Sequence, residues 1–473
     1  MNTKSQLRPN CLNLIELWAQ NIALISPTMT AALIVPLMFS NTGNLSWLAY
    51  TVGTIMLLFV AFNLNQFAKR STGTGSMYAY TSVGLGLTAG SISGWCLIWA
   101  YLFIGLAGTT GFTIFAGKLL AAVGISVAPP VLFAICLGSA FILAYKDIQV
   151  STIIMLILEG ISCFLIICLC LLVLGKHGFT IDKVQFDFKD ASIFNMGLGV
   201  VVAIFSLVGF ESSTAFGEEA KDPLKNIPRS IIWSLIASGL FFVFVCYTEV
   251  FGVRGYEQTL DHIDAPLNVL ASLYGVPYLQ LPISAGAMFS FFALALSCMN
   301  AGARMIFAMG RHGFFHRATC KAHELNETPH ISLGIMATLM FCIVTIFWFL
   351  HFEVLDEFND AGTMGAFGFL AAYVLITLAA PAYLRKRKEL RTRDIVLCVS
   401  ALALLLIPAV GSVYPVPAFP LNLFPYIFLG YLAIGIARAL SFRYQLPERV
   451  RQVREDIQTQ HIEPSLSMQS SPE

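Results

Sequence analysis

Between Glu16 and Lys69 the chain runs for 52 residues without an Asp, Glu, Lys or Arg. A soluble domain that exposed such a stretch would aggregate. A bilayer core about 30 Å thick, by contrast, needs about 20 apolar residues per helical crossing. A second uncharged run covers residues 395–437. Only helices and closed barrels satisfy their backbone in lipid. Barrel strands alternate polar and apolar residues, and these runs do not. The chain therefore reads as an all-α membrane protein. Composition agrees: of 473 residues, 12% are charged and 57% hydrophobic, where soluble domains carry about 25% charged residues. Length alone suggests roughly three soluble domains, and hydropathy overrules it.

A formal net charge of +1 excludes a basic nucleic-acid binder and an acidic disordered chain. Most of the 11 cysteines sit inside apolar runs, as Cys163, Cys168 and Cys170 do. There Cys is a small buried hydrophobe. No pair has C-x-x-C spacing, so no metal, no cofactor and no disulfide of consequence are expected. No small-residue cleavage site closes the first apolar run, which reads as a mature helix and not a signal peptide.

Hydropathy predicts twelve spans, at residues 15–39, 45–67, 84–115, 128–145, 152–174, 195–216, 227–251, 283–307, 331–350, 362–384, 395–413 and 421–439. An even number puts both termini on one side. With that side cytoplasmic, 23 of the 28 Lys and Arg residues fall on it, as the positive-inside rule requires. Lys118, Lys176, Lys183, Lys189 and Arg254 fall opposite. Arg304 is counted with the cytoplasmic loops, and Glu353, Asp356, Glu357 and Asp360 with an outer loop. The expected division is a cytoplasmic N-terminus at 1–11, a transmembrane unit at 12–440 and a cytoplasmic tail at 441–473. Residues 447–460 read as a short surface helix of a solvated tail, and the Ser-, Gln- and Pro-rich end as disordered. The expected location is the plasma (inner) membrane.

Two spans are interrupted. The first holds Ser26-Pro27-Thr28-Met29-Thr30 at mid-depth, where Pro27 removes a backbone donor and clashes with the preceding turn. The sixth holds Gly209-Phe210-Glu211-Ser212-Ser213, costly in lipid unless it faces a cavity or a partner. Spans one and six are five apart. An odd offset inverts a repeat of spans 1–5 and 6–10, here residues 12–174 and 193–384, with extra helices at 395–440. Interrupted helices at matching positions of two halves point to a transporter binding site. Freed N–H groups at a half-helix start attract a carboxylate, and freed carbonyls at an end attract an ammonium or a cation.

The run from Phe205 to Arg229, with Gly209-Phe-Glu-Ser-Ser213 at its centre, resembles the sixth-span signature of the amino acid–polyamine–organocation (APC) superfamily permeases. Gly75-Ser-Met-Tyr-Ala-Tyr80 is similar to the turn before that family's third span. Asn300-Ala-Gly-Ala-Arg304 with Ala308-Met-Gly-Arg-His-Gly313 is similar to its pattern ending the eighth. The resemblance implies a LeuT-like fold of two inverted five-helix repeats plus two helices, with alternating access around a site between spans 1, 3, 6, 8 and 10. It implies that backbone of Ser26 to Thr30 and of Gly209 to Ser213 holds the substrate, and that Phe205 is an aromatic gate. Where many relatives carry a Gly-rich run in the first span, this chain has Ser26-Pro27-Thr28, so recognition of an α-carboxylate and of an amine both stay open. Some proton-coupled relatives carry a Lys in the fifth span, where this chain has only Glu159.

Glu159 reads either as a proton site or cation partner or as a carboxyl bonded to a neighbouring helix, and Glu211 as a proton site, an amine contact or a cap on the unwound strand. Ser297 and Asn300 read as a sodium site against the first span or as polar glue between helices. Glu218, Glu219, Lys221, Asp222 and Lys225 read as a salt-bridged inner gate or a solvated loop. The Trp residues, Trp95, Trp99, Trp233 and Trp348 among them, read as belt or core. The function expected is secondary active transport of amino acids or small amines, coupled to H+ or Na+ or by exchange. The alternative is a nutrient sensor of the same fold that binds without transporting. An enzyme is not expected: His323-Glu324 lacks the second His of H-E-x-x-H, and no G-x-S-x-G or Walker motif is present.

Overall fold

A computed structural model describes residues 7–71, 75–189, 192–263, 265–414, 419–445 and 447–462. Among these the chain is helical, with one isolated bridge between Leu12 and Ala220. The helices in chain order are α1 (Leu14–Ile25), α2 (Pro27–Met29), α3 (Val35–Thr42), α4 (Ser46–Ala68), α5 (Ser76–Leu85), α6 (Leu87–Ala122), α7 (Pro129–Lys146) and α8 (Ile148–Lys176). Then follow α9 (Ile193–Leu207), α10 (Pro223–Gly252), α11 (Pro266–Leu273), α12 (Gln280–Arg311), α13 (His330–Phe349), α14 (Val354–Lys386), α15 (Thr392–Gly411), α16 (Phe424–Gln445) and α17 (Pro447–Ile462).

Eleven helical runs among the described residues are long and apolar enough to cross a membrane, and the first of them, Leu14–Ala68, has 55 residues. At 1.5 Å per residue it would measure about 80 Å if straight. It folds back instead. Leu12 pairs with Ala220 just before α10, and Asn65 donates to the Pro228 carbonyl at 3.2 Å near the start of α10. Asn44, at the bend, accepts from Arg254 just past the end of α10. The bend falls at Gly43, whose φ of +53° and ψ of −130° suit a residue without Cβ.

Helix starts follow capping chemistry. Asn13 Oδ1 accepts from the N–H groups of Ile15 and Glu16, and the Asn13 N–H donates back to Glu16 Oε2 at 2.6 Å. Asp147 caps α8 through the Gln149 N–H. Helix α6 is the axis of the bundle, buried along almost all of 96–116 between α12 and α14. Close approach depends on small residues. A Cβ on Gly108 would lie 2.8 Å from the Ala295 nitrogen of α12, and one on Gly368 of α14 would lie 2.5 Å from the Cys96 carbonyl. Helix α4 packs on α10 and α7 on α13, while α15 and α16 lie outside α4 and α6. Their exposed Ile395, Val399, Leu406, Ile434 and Leu429 form an apolar face suited to lipid.

Several expected boundaries shift. The tenth span starts at Val354, not 362, so Asp356, Glu357 and Asp360 stand on its first turns and not in a loop; acidic residues suit a helix start. Gly75–Tyr80 is not a turn: only Gly75 is, at φ +112°, and Ser76 opens α5. Arg304, inside the expected eighth span though counted among the cytoplasmic charges, is buried in α12. The tail helix is no free surface element: α17 lies against α5 and α16 and buries Val453 and Ile457. The segment expected to be disordered, 463–473, lies outside the described residues.

Candidate functional site

Both interruptions are present in the fold. Helix α1 stops at Ile25, Ser26 takes a left-handed φ of +50°, and α2 restarts with Pro27 in the first position. That position needs no N–H, which is why proline restarts a helix it could not continue. A π-helical turn over Thr30–Ile34 follows, a geometry frequent at functional sites. Helix α9 stops at Leu207, Gly209 takes φ +97°, and a 3-10 turn runs over Ser212–Phe216. The breaks lie side by side: a Cβ on Gly209 would sit 1.9 Å from Leu24 Cδ2.

Each break exposes backbone that the surroundings satisfy with polar side chains, as burial in an apolar bundle demands. At the first, the Thr28 N–H and Oγ1 both donate to Glu159 Oε1 of α8 at 3.1 Å, Thr28 Oγ1 reaches Ser162 at 2.8 Å, and Ser26 Oγ pairs with Ser290 of α12 at 2.9 Å. At the second, Asn21 Oδ1 accepts from the Ser213 N–H at 2.7 Å and from Ser212 Oγ at 3.0 Å. Glu211 accepts from Tyr373 of α14 at 2.7 Å and from Tyr101 of α6 at 3.4 Å, and Tyr373 also receives the Gly209 N–H. Phe210 lies against the Tyr373 ring, centroids 5.4 Å apart.

Ser26, Pro27, Thr28, Met29, Thr30, Phe210, Glu211, Ser212, Ser213 and Glu159 are all buried. Phe205 is buried beside Phe358, which meets Phe291, itself stacked on Phe115. These rings lie on the side of the breaks away from the N-terminus. Ser297 is linked to the second break through Gln20, whose carbonyl also accepts from Ser212 Oγ at 3.4 Å, while Asn300 bonds away from both breaks. Ser297 Oγ donates to the Gln20 carbonyl and accepts from the Gln20 side chain, while Asn300 donates to Ser151 of α8.

The sequence reading missed Gln20, Asn21, Tyr101, Tyr373, Ser162 and Ser290. Gln20 and Asn21 carried a signal, as adjacent side-chain amides in an otherwise apolar span. The tyrosines did not, because an aromatic in a span reads as belt or core. Another buried carboxylate, Glu249 of α10, belongs to neither break, and neither of its oxygens is bonded among the described residues.

The end that carries the N-terminus is laced shut. The N–H groups of Cys11 and Leu12 donate to the Glu219 carbonyl, and the Lys221 N–H donates to that of Leu12. Arg304 grips Glu219 through both oxygens at 2.5 and 2.6 Å, both side chains buried, with its guanidinium 4.3 Å from the Phe216 ring centre. Arg311 pairs with Glu218 and Arg8 with Asp147. The gate and loop readings thus divide: Glu218 and Glu219 are in ion pairs, while Lys221, Asp222 and Lys225 are exposed. At the far end Arg254 pairs with Asp182, and Trp47 donates to the Gln185 carbonyl, tying the 177–189 connector over α4 and α10.

A helical membrane bundle in which two broken helices meet at a buried polar centre closed at both ends is built as a multi-pass permease. Comparison with known proteins agrees, for the amino acid permease family matches residues 17–435. The chain is similar to the branched-chain amino acid permease BcaP of Bacillus subtilis, 24% identical over 365 residues that cover 72% of this chain and 74% of that one. It is also similar to the low-affinity putrescine importer PlaP of Escherichia coli (22% over 357 residues, 73% and 75%). Cationic amino acid transporter 4 of Mus musculus is 23% identical over 362 residues, 70% of this chain and 53% of that protein. The chain belongs to the amino acid permease family, within the APC superfamily.

Proposed function

We propose that the protein is a secondary active transporter that moves amino acids or related small amines by alternating access, driven by a proton gradient or by exchange. The observation that carries this reading is the meeting of two helix breaks, from the first and sixth spans, around buried carboxylates. Folded-back α1–α4 supplies two crossings and each later run one, which makes twelve. Residues 12–174 and 193–384 form the inverted repeats, 395–440 adds two helices, and both termini are cytoplasmic in the plasma (inner) membrane. The substrate touches the backbone of Ser26 to Thr30 and Gly209 to Ser213, with Phe205 closing over it. Glu211 takes up the coupled proton, Glu159 supports the first break, and Ser297 and Asn300 hold α12 to α1 and α8.

Alternating access follows from the two ends. Opening inward requires the Arg304–Glu219 pair and the 10–12 segment to part, and opening outward requires the Phe205–Phe358–Phe291 rings to part. The test is uptake of labelled amino acids and amines into proteoliposomes, with and without an inward proton gradient. Gradient-stimulated uptake supports coupling, and uptake that needs substrate preloaded inside supports exchange. Tight binding with no uptake under either condition overturns the reading in favour of a sensor.

A further inference from the structure

The first break already holds a carboxylate of the protein's own. A helix start offers N–H groups and the positive end of the backbone dipole, the natural seat for a carboxylate. Here Pro27 has no N–H, the Thr28 N–H goes to Glu159, and the Thr30 N–H turns back onto the Ser26 and Pro27 carbonyls. Glu159 Oε2 is buried and unbonded among the described residues. It is an acceptor at the first break without a donor, as Thr30 Oγ1 beside it and both oxygens of Glu249 also lack a partner among the described residues.

The charge inventory points the same way. Around the two breaks, 17–68, 90–115, 152–174, 195–216 and 284–303 carry Glu159 and Glu211 and no Lys, Arg or His; Arg304, just beyond and over Phe216, is paired with Glu219, and α10, which meets the second break through Ser230 and Ser234, buries Glu249. The part of α14 that holds Tyr373, at 361–384, carries no charged residue at all. The carbonyl ends of α1 at Ile25 and of α9 at Leu207 add negative dipole ends. Glu159 and the two carbonyl ends there favour a cation.

We infer that the substrate is an organic ammonium compound without a carboxylate, because Glu159 occupies the seat at the first break that a substrate carboxylate would need and presents its free oxygen to an ammonium. This rests on the transporter reading and narrows it. A substrate α-carboxylate would be set against the Glu159 carboxylate, and like charges placed together are disfavoured.

The test uses pairs of compounds that differ by one carboxylate: cadaverine against lysine, agmatine against arginine, and 3-methylbutylamine against leucine. Each is scored on the purified full chain by thermal stabilisation in detergent and by counterflow in proteoliposomes. The amine of at least one pair acts at concentrations about tenfold or more below those of its amino acid. Glu159→Gln keeps an oxygen for the Thr28 N–H, removes the charge, and brings that pair within about threefold of each other. Cys163→Ala, one turn from Glu159 on α8, keeps the charge and preserves the amine preference, which separates loss of charge from loss of packing. An amino acid that binds and exchanges about tenfold better than its amine overturns the inference and leaves the transporter reading standing. Amine-selective binding without counterflow upholds the inference and overturns transport, and no response to any of the compounds overturns both.

Discussion

Glu211 and Gly209 show how much one position can decide in a buried polar centre. Glu211 is held by two tyrosines from two different helices, so a change in its charge is felt by α6 and α14 together. Glu211→Gln keeps an acceptor for one hydroxyl and offers an N–H to the oxygen of the other, but cannot take up a proton. The variant is expected to fold, to bind, and to lose concentrative uptake while retaining gradient-independent exchange; normal accumulation in the proteoliposome assay would remove Glu211 from the coupling step. Gly209 has the opposite character, since it does no chemistry. Its φ of +97° and its contact with Leu24 leave no room for a Cβ. Gly209→Ala is expected to lower stability by about 1–3 kcal/mol, read as a lower melting temperature in detergent, and an unchanged melting temperature would contradict this account. Of the centre, Ser26 to Thr30, Gly209 to Ser213 and Glu159 were legible, because proline, glycine and charge are conspicuous in apolar sequence. Tyr101 and Tyr373 were not, because nothing local separates a tyrosine that bonds a carboxylate from one that packs.

Helices here act through the groups at their ends and edges. Helix α12 reaches the end that carries the N-terminus with Arg304 buried against Glu219 and over Phe216. Breaking a buried pair by removing one partner costs about 3–5 kcal/mol, whereas replacing both by apolar groups is often neutral. Arg304→Met alone is therefore expected to destabilise the protein in detergent, and the double change Arg304→Met, Glu219→Met to regain most of the loss. Equal melting temperatures for the single and double variants would show that the pair adds nothing. Helix α17 makes a parallel case. Its charge pattern suggested a solvated tail, yet Val453 and Ile457 are buried against the bundle. Val453→Asp with Ile457→Asp should release the helix, detected as faster proteolysis after Gln445 with the transmembrane unit intact. Proteolysis no faster than in the unaltered chain would mean that this docking does not hold the tail.

At the scale of the whole molecule, the placement of charge supports the proposed direction in the membrane. The basic residues gather at the end where residues 8–13 cross the entry to α10. Cys320 lies in the connector between α12 and α13 at that same end. It is expected to react with a membrane-impermeant thiol reagent in inside-out vesicles and not in intact cells, with a Cys320→Ser control. Labelling from outside intact cells would invert the orientation.

Hydropathy and charge placement were enough to state that the chain is a helical membrane protein, roughly where its spans lie, and which two spans break. Those properties depend on the composition of contiguous segments and on single residues with strong backbone preferences, so they are written along the chain. The partnering of the breaks is not. Glu159 meets Thr28 across 131 residues, Tyr373 meets Glu211 across 162, and Arg304 meets Glu219 across 85. Such pairings arise only when α6 is packed between α12 and α14 and the small residues at Gly108 and Gly368 let the backbones close. Local patterns carry no term for distance through the bundle, and so the fold alone brings a carboxylate to the first break and two tyrosines to the second.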